Sequence, residues 1–304
     1  MTLDHLVEKL RSSLPNLIIL EHEPMAKHTS FRIGGPVRAL LQPQSAAEVE
    51  TICRVLRAAG VKPLVIGNGT NLLVTDAPLE RIVLQFGERF SAFERVGETS
   101  LRAQAGITLA RLALEAQKLG LTGLEFAHGI PGSLGGGVSM DAGAYGGELK
   151  DVVTVTRCID ENLELREIVG AEHDFSYRHS AFSDTDRIIL DSTVTLTPDD
   201  PAAILERMMV LRAKRSASQP LDMPSAGSTF KRPVGGYAAA LIDQAGLKGF
   251  GIGGAQVSEK HGGFVINRGG ATFDDVLHLI EHSREEVFKM SGITLETEVK
   301  IIRE

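Results

Sequence analysis

Cysteine is scarce in this chain. Cys53 and Cys158 are the only two among 304 residues, far apart and in no CxxC arrangement, which argues against a disulfide framework and offers no thiolate zinc site. A reducing cytoplasm is the expected setting. Long apolar runs are missing as well: no segment approaches the roughly 18 consecutive apolar residues that mark a membrane-spanning helix. The N-terminal LDHLVEKLRSSL is a charged amphipathic stripe on Leu3, Leu6, Val7 and Leu10 rather than a signal peptide. The formal net charge is −7 and no basic run stands out, so nucleic acid is not an expected partner. Tryptophan is absent too. What is there is 43% hydrophobic and 23% charged, the balance of a soluble globular protein long enough for two or three domains.

The rhythm of the chain changes twice. Over residues 1–90, Ser45 and Glu48 form a capping-box pattern before a helix bearing Val49, Ile52, Cys53 and Leu56, which Gly60 stops. VKPLVIG, NLLVTD and RIVLQF then read as buried strands. Over 91–200, SAFERVGETSLRAQAG predicts two strands joined at Gly97 and Glu98, Thr108 caps a helix running to Leu119, and VVTVTRCIDENLELREI predicts a hairpin turning at Asp160 to Asn162. RIILDSTVTLTP adds a closing strand. Over 201–304, a helix carries Ile204, Leu205, Met208, Met209 and Leu211 ahead of the polar RAKRSASQP. A long helix capped by Thr272 and Asp275 is expected to turn Phe273, Val276, Leu277, Ile280, Val287 and Phe288 inward. ITLETEVKII is expected to be an alternating strand, with Leu295, Thr297, Val299 and Ile301 opposite Glu296 and Glu298.

Glycine is abundant, at 32 residues, and it is clustered. GNGTNLLV, from Gly67 to Val74, lets backbone amides approach an anion without a Cβ in the way. It is not a Rossmann turn, because Leu72 occupies the third glycine position and a strand is expected next; nor does it end in GK[ST]. IPGSLGGGVSMDAGAYGGE is too glycine-rich for a helix or strand interior and too apolar for a flexible linker. Gly129, Gly132, Gly135, Gly136 and Gly137 crowd beside Pro131 and Ser133. Each costs roughly 0.5–1 kcal/mol relative to alanine inside an element, so backbone-on-backbone packing or a loop laid along a pyrophosphate or flat ring must offset it. Two such loops favour a ligand with a long diphosphate body, such as a dinucleotide held without a Rossmann fold.

Polar residues offer a second signal. Ser228 in SAGSTFKRP lies close to Lys231 and Arg232; it is a turn serine or a proton donor, since no GxSxG elbow surrounds it. Arg178 sits in FSYRHSAF among aromatics and hydroxyls, and Glu298 lies on the polar side of the last strand. His278 and His282 are four apart on a predicted helix, but no third ligand accompanies them and no metal is expected.

In chain order, HTSFRIGGP, GNGTNLLV, GIPGSLGGGVSMDAGAYGGE, YRHSAF, QPLDMPSAGSTFKRP and LETEVKII resemble the UDP-N-acetylenolpyruvoylglucosamine reductase family, flavoenzymes that complete UDP-N-acetylmuramic acid for bacterial cell walls. The resemblance runs from about Thr29 to the C-terminus. It implies an α+β protein: a vanillyl-alcohol oxidase-like FAD-binding fold of two subdomains, 1–90 and 91–200, followed by an α+β domain, 201–304, for the UDP-sugar. FAD would lie along Gly67, Asn68, Gly69, Thr70 and Asn71 at its pyrophosphate and along Gly129, Ile130, Pro131, Gly132, Ser133, Gly135 and Gly136. NADPH is the implied hydride donor, and the hydride would travel by way of flavin N5 to the enolpyruvyl group of UDP-N-acetylglucosamine enolpyruvate. A cytoplasmic monomer is expected.

By the same resemblance Ser228 is the proton donor, Arg178 stabilises charge developing at the substrate carboxylate, and Glu298 assists when protonated. Arg212, Arg215, Lys231, Arg232 and Asn267 are expected to face the UDP phosphates or uracil. Asp141 stands where the family has asparagine, and the stretch before Ser228 is short, as in the branch without an extra substrate-capping loop. An oxygen-using oxidase of the same fold or a non-catalytic flavin module would explain the glycine loops equally well. Neither gives Ser228, Arg178 and Glu298 a task.

Overall fold

Two hydrophobic cores form in the computed structural model, which describes residues 2–304. They belong to two units: residues 1–21, 39–68 and 81–213 in the first, 22–38, 69–80 and 214–304 in the second. The expected boundary at 90/91 falls inside the first unit, which continues past 200 to Ala213.

The first unit is built on a five-stranded antiparallel sheet in the order Leu165–Val169, Val153–Ile159, Ile188–Thr195, Ser100–Gln104, Phe93–Arg95. The predicted hairpin forms because Asp160 organises its own turn. Its Oδ1 accepts from the Glu164 and Asn162 amides at 2.9 and 2.8 Å, an Asx-type turn, and these bonds hold the carboxyl below the usual range. Arg157 and Asp191 face each other across the next strand pair in a forked contact of 2.8 and 2.6 Å. Thr108 caps the helix Leu109–Lys118 through the Arg111 amide, and Ser45 caps Ala46–Ala58 through Glu48 N–H. Glu48 returns its bond to the Gln44 amide, one residue before the cap.

The glycine stretch is not the loop the sequence predicts. Leu134–Ser139 is a short helix inside it. Glycine is required there for approach, not for irregularity: a Cβ on Gly135 would meet Ala105 Cβ at 2.8 Å and Ala105 O at 3.3 Å. Its N–H donates to that same carbonyl at 2.8 Å.

The second unit packs Phe31, Ile33, Leu73, Phe230, Val257, Val276, Leu279, Ile280, Leu295 and Val299 into its own core. A parallel pair joins Lys300–Ile302 to Leu72–Val74, the strand expected in place of a Rossmann helix. The helix Phe273–Ser291 is capped as predicted, Thr272 and Asp275 exchanging bonds, but Leu279 rather than Phe288 faces inward, and Phe288 is 54% exposed. The polar segment RAKRSAS continues the helix Pro201–Ser218 instead of following it, and only Ile204 and Met208 of that helix are buried. Met209 is 53% exposed. The last strand is confined to Lys300–Ile302; Leu295 and Val299 are buried as the alternation requires, while Thr297 is held by a single bridge to Phe230.

Because Ala105 is backbone-locked against Gly135, Gly135→Ala is expected to lower stability by about 1–3 kcal/mol, the usual cost of overpacking. A thermal melt with an unchanged midpoint would show that the two segments can separate freely.

Candidate active site

The two glycine segments that the sequence sets apart meet in the first unit. Ser133 Oγ occupies the place where a Cβ on Gly67 would stand, and Asn68 donates its side-chain amide to Pro131 O at 3.4 Å. Ser133 also bridges to Thr108, and the Leu109 amide donates to Gly132 O at 3.0 Å. The result is a backbone floor without side chains. A Cβ on Gly136 would meet only Ser133 Oγ, at 3.5 Å, so this residue has no structural need to be glycine. The residues present therefore fit a large flat or phosphorylated cofactor along 67–68 and 131–136. Gly135, whose N–H and α-carbon are committed to Ala105, contributes through packing.

Polar atoms without partners flank this floor. His128 Nδ1 and Asp141 Oδ2 are buried and make no hydrogen bond. Burial, reinforced by Arg212, pushes the His128 imidazole below its ordinary value, which favours the neutral ring. Asp141 is 1% exposed and sits at φ +42°. Its Oδ1 accepts from the Lys150 amide at 2.9 Å, yet burial, with Glu148 adding to it, pushes the carboxyl above the usual range. Near this segment Glu125 behaves in the opposite sense. Burial pushes it up, but bonds from Thr122, the Gly123 amide and Arg207 outweigh that and hold it below its ordinary value.

The second unit places Ser228 and Glu298 on neighbouring segments. The Glu298 amide donates to Thr229 O at 2.8 Å, Lys231 N to Glu296 O at 2.9 Å, and Phe230 bridges Thr297. Thr229 is fixed from its other side by Gly263 O and by its own hydroxyl accepting from Val265 N–H. Both Ser228 and Glu298 are half-buried. Asn71 supports the same segment, donating to Glu298 O at 3.0 Å while its own carbonyl accepts from Lys300. Gly69 is held beside His28, whose carbonyl stands where a Cβ would be. Thr229 and Asn71 are thus positioning residues that sequence alone passes over or misassigns; nothing in their spacing announces a strand register.

Arg178 belongs to the first unit, at the tip of a turn closed by mutual bonds between Ser176 and His179; its φ is +58° and its guanidinium lies 5.1 Å from the Tyr177 ring. Of the residues expected to face the UDP-sugar, Arg212 is exposed in the first unit and Arg215 half-buried in the second. Lys231 pairs with Glu296 at 3.4 Å and Arg232 stacks over Tyr237 at 4.7 Å. Asn267 has a structural task instead: it donates to Phe31 O and its carbonyl accepts from the Gly269 and Ala271 amides. His282 stacks on Phe250 at 4.5 Å, and among the described residues no cluster of three or more His, Cys, Asp or Glu could hold a metal.

Comparison with known proteins agrees with this arrangement. Residues 37–191 match the FAD binding domain family, and residues 219–302 match the C-terminal domain family of UDP-N-acetylenolpyruvoylglucosamine reductase. UDP-N-acetylenolpyruvoylglucosamine reductases of Caldanaerobacter subterraneus and Agathobacter rectalis are each 44% identical to this chain, over 98% of both partners. The crystal structure of the Thermus caldophilus reductase superposes with a TM-score of 0.80 at 31% identity, covering 94% of this chain and 99% of that one. These matches define an FAD-dependent oxidoreductase of mixed α and β structure. The chain belongs to the UDP-N-acetylenolpyruvoylglucosamine reductase family.

Two substitutions separate packing from cofactor contact. Gly136→Ala should leave the melting temperature of the flavin-free protein unchanged or higher, since alanine gains up to about 1 kcal/mol of helix propensity, while flavin affinity falls at least ~10-fold; a flavin titration with unaltered affinity would remove Gly136 from the floor. Asp141→Asn should raise the melting temperature at pH 7–8. A carboxyl whose folded value lies above its unfolded one binds its proton more tightly when folded, so the wild type loses stability as pH rises from the ordinary carboxylate range through the folded value. The gain should shrink to nothing near pH 4, and a pH-independent gain would contradict the assignment.

Proposed function

We propose that the chain reduces the enolpyruvyl group of UDP-N-acetylglucosamine enolpyruvate to give UDP-N-acetylmuramate in peptidoglycan synthesis, with NADPH as the hydride donor. Bound FAD supplies two-electron chemistry, linking oxidation of the nicotinamide to reduction of the carbon–carbon double bond. The chain's own work is to hold both partners, to balance charge and to deliver a proton. Ser228 delivers the proton to the carbon bearing the carboxylate, and Arg178 stabilises the negative charge that develops there. Preorganised donors aimed at developing charge are commonly the largest catalytic term. Glu298 in its protonated form donates to the same carboxylate.

What supports this reading most directly is the pairing of Thr229 with Glu298, which sets the proton donor beside its carboxylic acid partner on backbone that three bonds hold rigid. Lys231, Arg232, Arg212 and Arg215 supply positive charge for the UDP diphosphate. Lys231 remains able to do so, because its exposed pairing with Glu296 is the kind that contributes at most about 1 kcal/mol.

Ser228→Ala should leave reduction of bound flavin by NADPH intact and slow reoxidation by the enolpyruvyl substrate at least ~10²-fold, the scale of a lost general acid. Stopped-flow absorbance under anaerobic conditions separates the two half-reactions. Equal slowing of both would deny Ser228 the role, and rapid reoxidation by oxygen with none by the enolpyruvyl substrate would favour an oxidase.

A further inference from the structure

The turn that carries Arg178 is fastened at both ends, and neither fastening has a task in the reaction itself. At one end stands His173, fully buried. Its Nδ1 lies 3.0 Å from Gly170 O and its Nε2 2.9 Å from Thr156 Oγ1, which lies 2.9 Å from Ser192 Oγ. A carbonyl can only accept, so Nδ1 carries the proton and Nε2 accepts from the Thr156 hydroxyl. Burial pushes this imidazole below its ordinary value, in keeping with the neutral tautomer. The His173 carbonyl then accepts from the Ala181 amide at 2.7 Å, closing the loop.

At the other end two hydroxyls converge on one carbonyl. Ser180 Oγ and Ser183 Oγ donate to Ser139 O at 2.9 and 2.8 Å. Ser139 is the last residue of the glycine helix, where a carbonyl lacks an intrahelical partner. Neither hydroxyl is free to turn away. Ser180 Oγ also accepts from the Phe182 amide and Ser183 Oγ from the Ser180 amide.

We propose that Ser180 and Ser183 are positioning residues for Arg178: by clamping the Ser139 carbonyl they fix the arginine turn to the helix that floors the flavin site, with His173 as the opposite anchor. The proposal rests on the reading that Arg178 meets the substrate carboxylate. Its physical basis is that charge stabilisation depends on placement, and a displacement of about 1 Å can cost as much as ~10²-fold in rate. The tip itself has few constraints of its own, being a four-residue turn with Tyr177 exposed and Arg178 in a left-handed conformation.

The test uses the flavin-loaded protein. Ser180→Ala combined with Ser183→Ala should slow flavin reoxidation by UDP-N-acetylglucosamine enolpyruvate about 10-fold and leave reduction by NADPH unchanged. Ser183→Thr, which keeps the hydroxyl, should restore most of the rate relative to Ser183→Ala. In an Arg178→Ala background the serine substitutions should cost nothing further, because the group they position is gone. Amide hydrogen exchange over 176–183 should quicken in the double variant, with or without flavin. The proposal is overturned if both half-reactions slow together, if the serine substitutions cost as much without Arg178 as with it, or if exchange over the turn is unaltered. An Arg178→Ala variant that reoxidises at the normal rate would instead defeat the underlying reading of Arg178.

Discussion

The first unit depends on a distance of approach. The glycine helix lies so close to Ala105 that no side chain can stand between them, and Gly67 reaches Ser133 with the same intimacy. Once these backbones touch, much else is determined. The amides of Leu134 and Gly135 find their acceptors in Ile107 and Ala105, the helix is pinned to the segment that follows the strand Ser100–Gln104, and the carbonyl of Ser139 is presented where the Arg178 turn can take hold of it. The entropy lost by ordering glycine is offset by backbone bonds that a bulkier residue would forbid. Two kinds of glycine follow from this. Gly135 is a packing residue, whereas Gly136 faces space that the protein itself does not fill.

In the second unit the corresponding constraint is strand register. Ser228 and Glu298 are seventy residues apart, and what relates them is the short antiparallel contact of 229–231 with 296–298. A slip of one residue there would send alternate side chains to the other face. Thr229 guards against it: its carbonyl, amide and hydroxyl are all engaged, with Glu298, Gly263 and Val265, and the residue is buried. Asn71 adds a further bond to the Glu298 carbonyl, which explains an asparagine that sequence reading assigns to the cofactor.

Local chemistry was legible where it acts locally. Thr108, Ser45 and the Thr272–Asp275 pair cap helices because a hydroxyl or carboxylate three residues from an unpaired amide has little else to do. Asp160 organises its hairpin for the same reason. What was not legible depends on partners distant in sequence. The glycine stretch looked unfit for a helix because propensity penalises glycine, but tertiary packing against Ala105 overrides the penalty. Phe288 carries the periodicity of a buried residue and is exposed, since the buried face takes Leu279 and Ser283 instead. Asn267 looked like a ligand contact because amides in such segments often are; three backbone partners, one of them 236 residues away, occupy it. The family motifs name Ser228, Arg178 and Glu298, whereas the hydroxyls that hold Arg178 in place are visible only as a serine-rich flank.

Charge in the first unit is distributed in a way that suits the proposed reaction. Asp141, His128 and His173 are each pushed toward the neutral form by burial, the ordinary consequence of removing an ionisable group from water. Glu125, which stays ionised, has Arg207 and two further donors to compensate it. An uncompensated carboxylate or imidazolium beside the glycine floor would impose a fixed field on the cofactor and on any charge formed near it. With those groups neutral, the sign of the local field is left to Arg178, whose charge does not titrate in the working range. A cation confers selectivity for a developing carboxylate-linked anion only when it is held in one place, since a mobile guanidinium would follow solvent instead of waiting for the transition state. The neutral buried groups and the serine clamp are therefore parts of one requirement, that positive charge reach the substrate at a fixed position and from few directions.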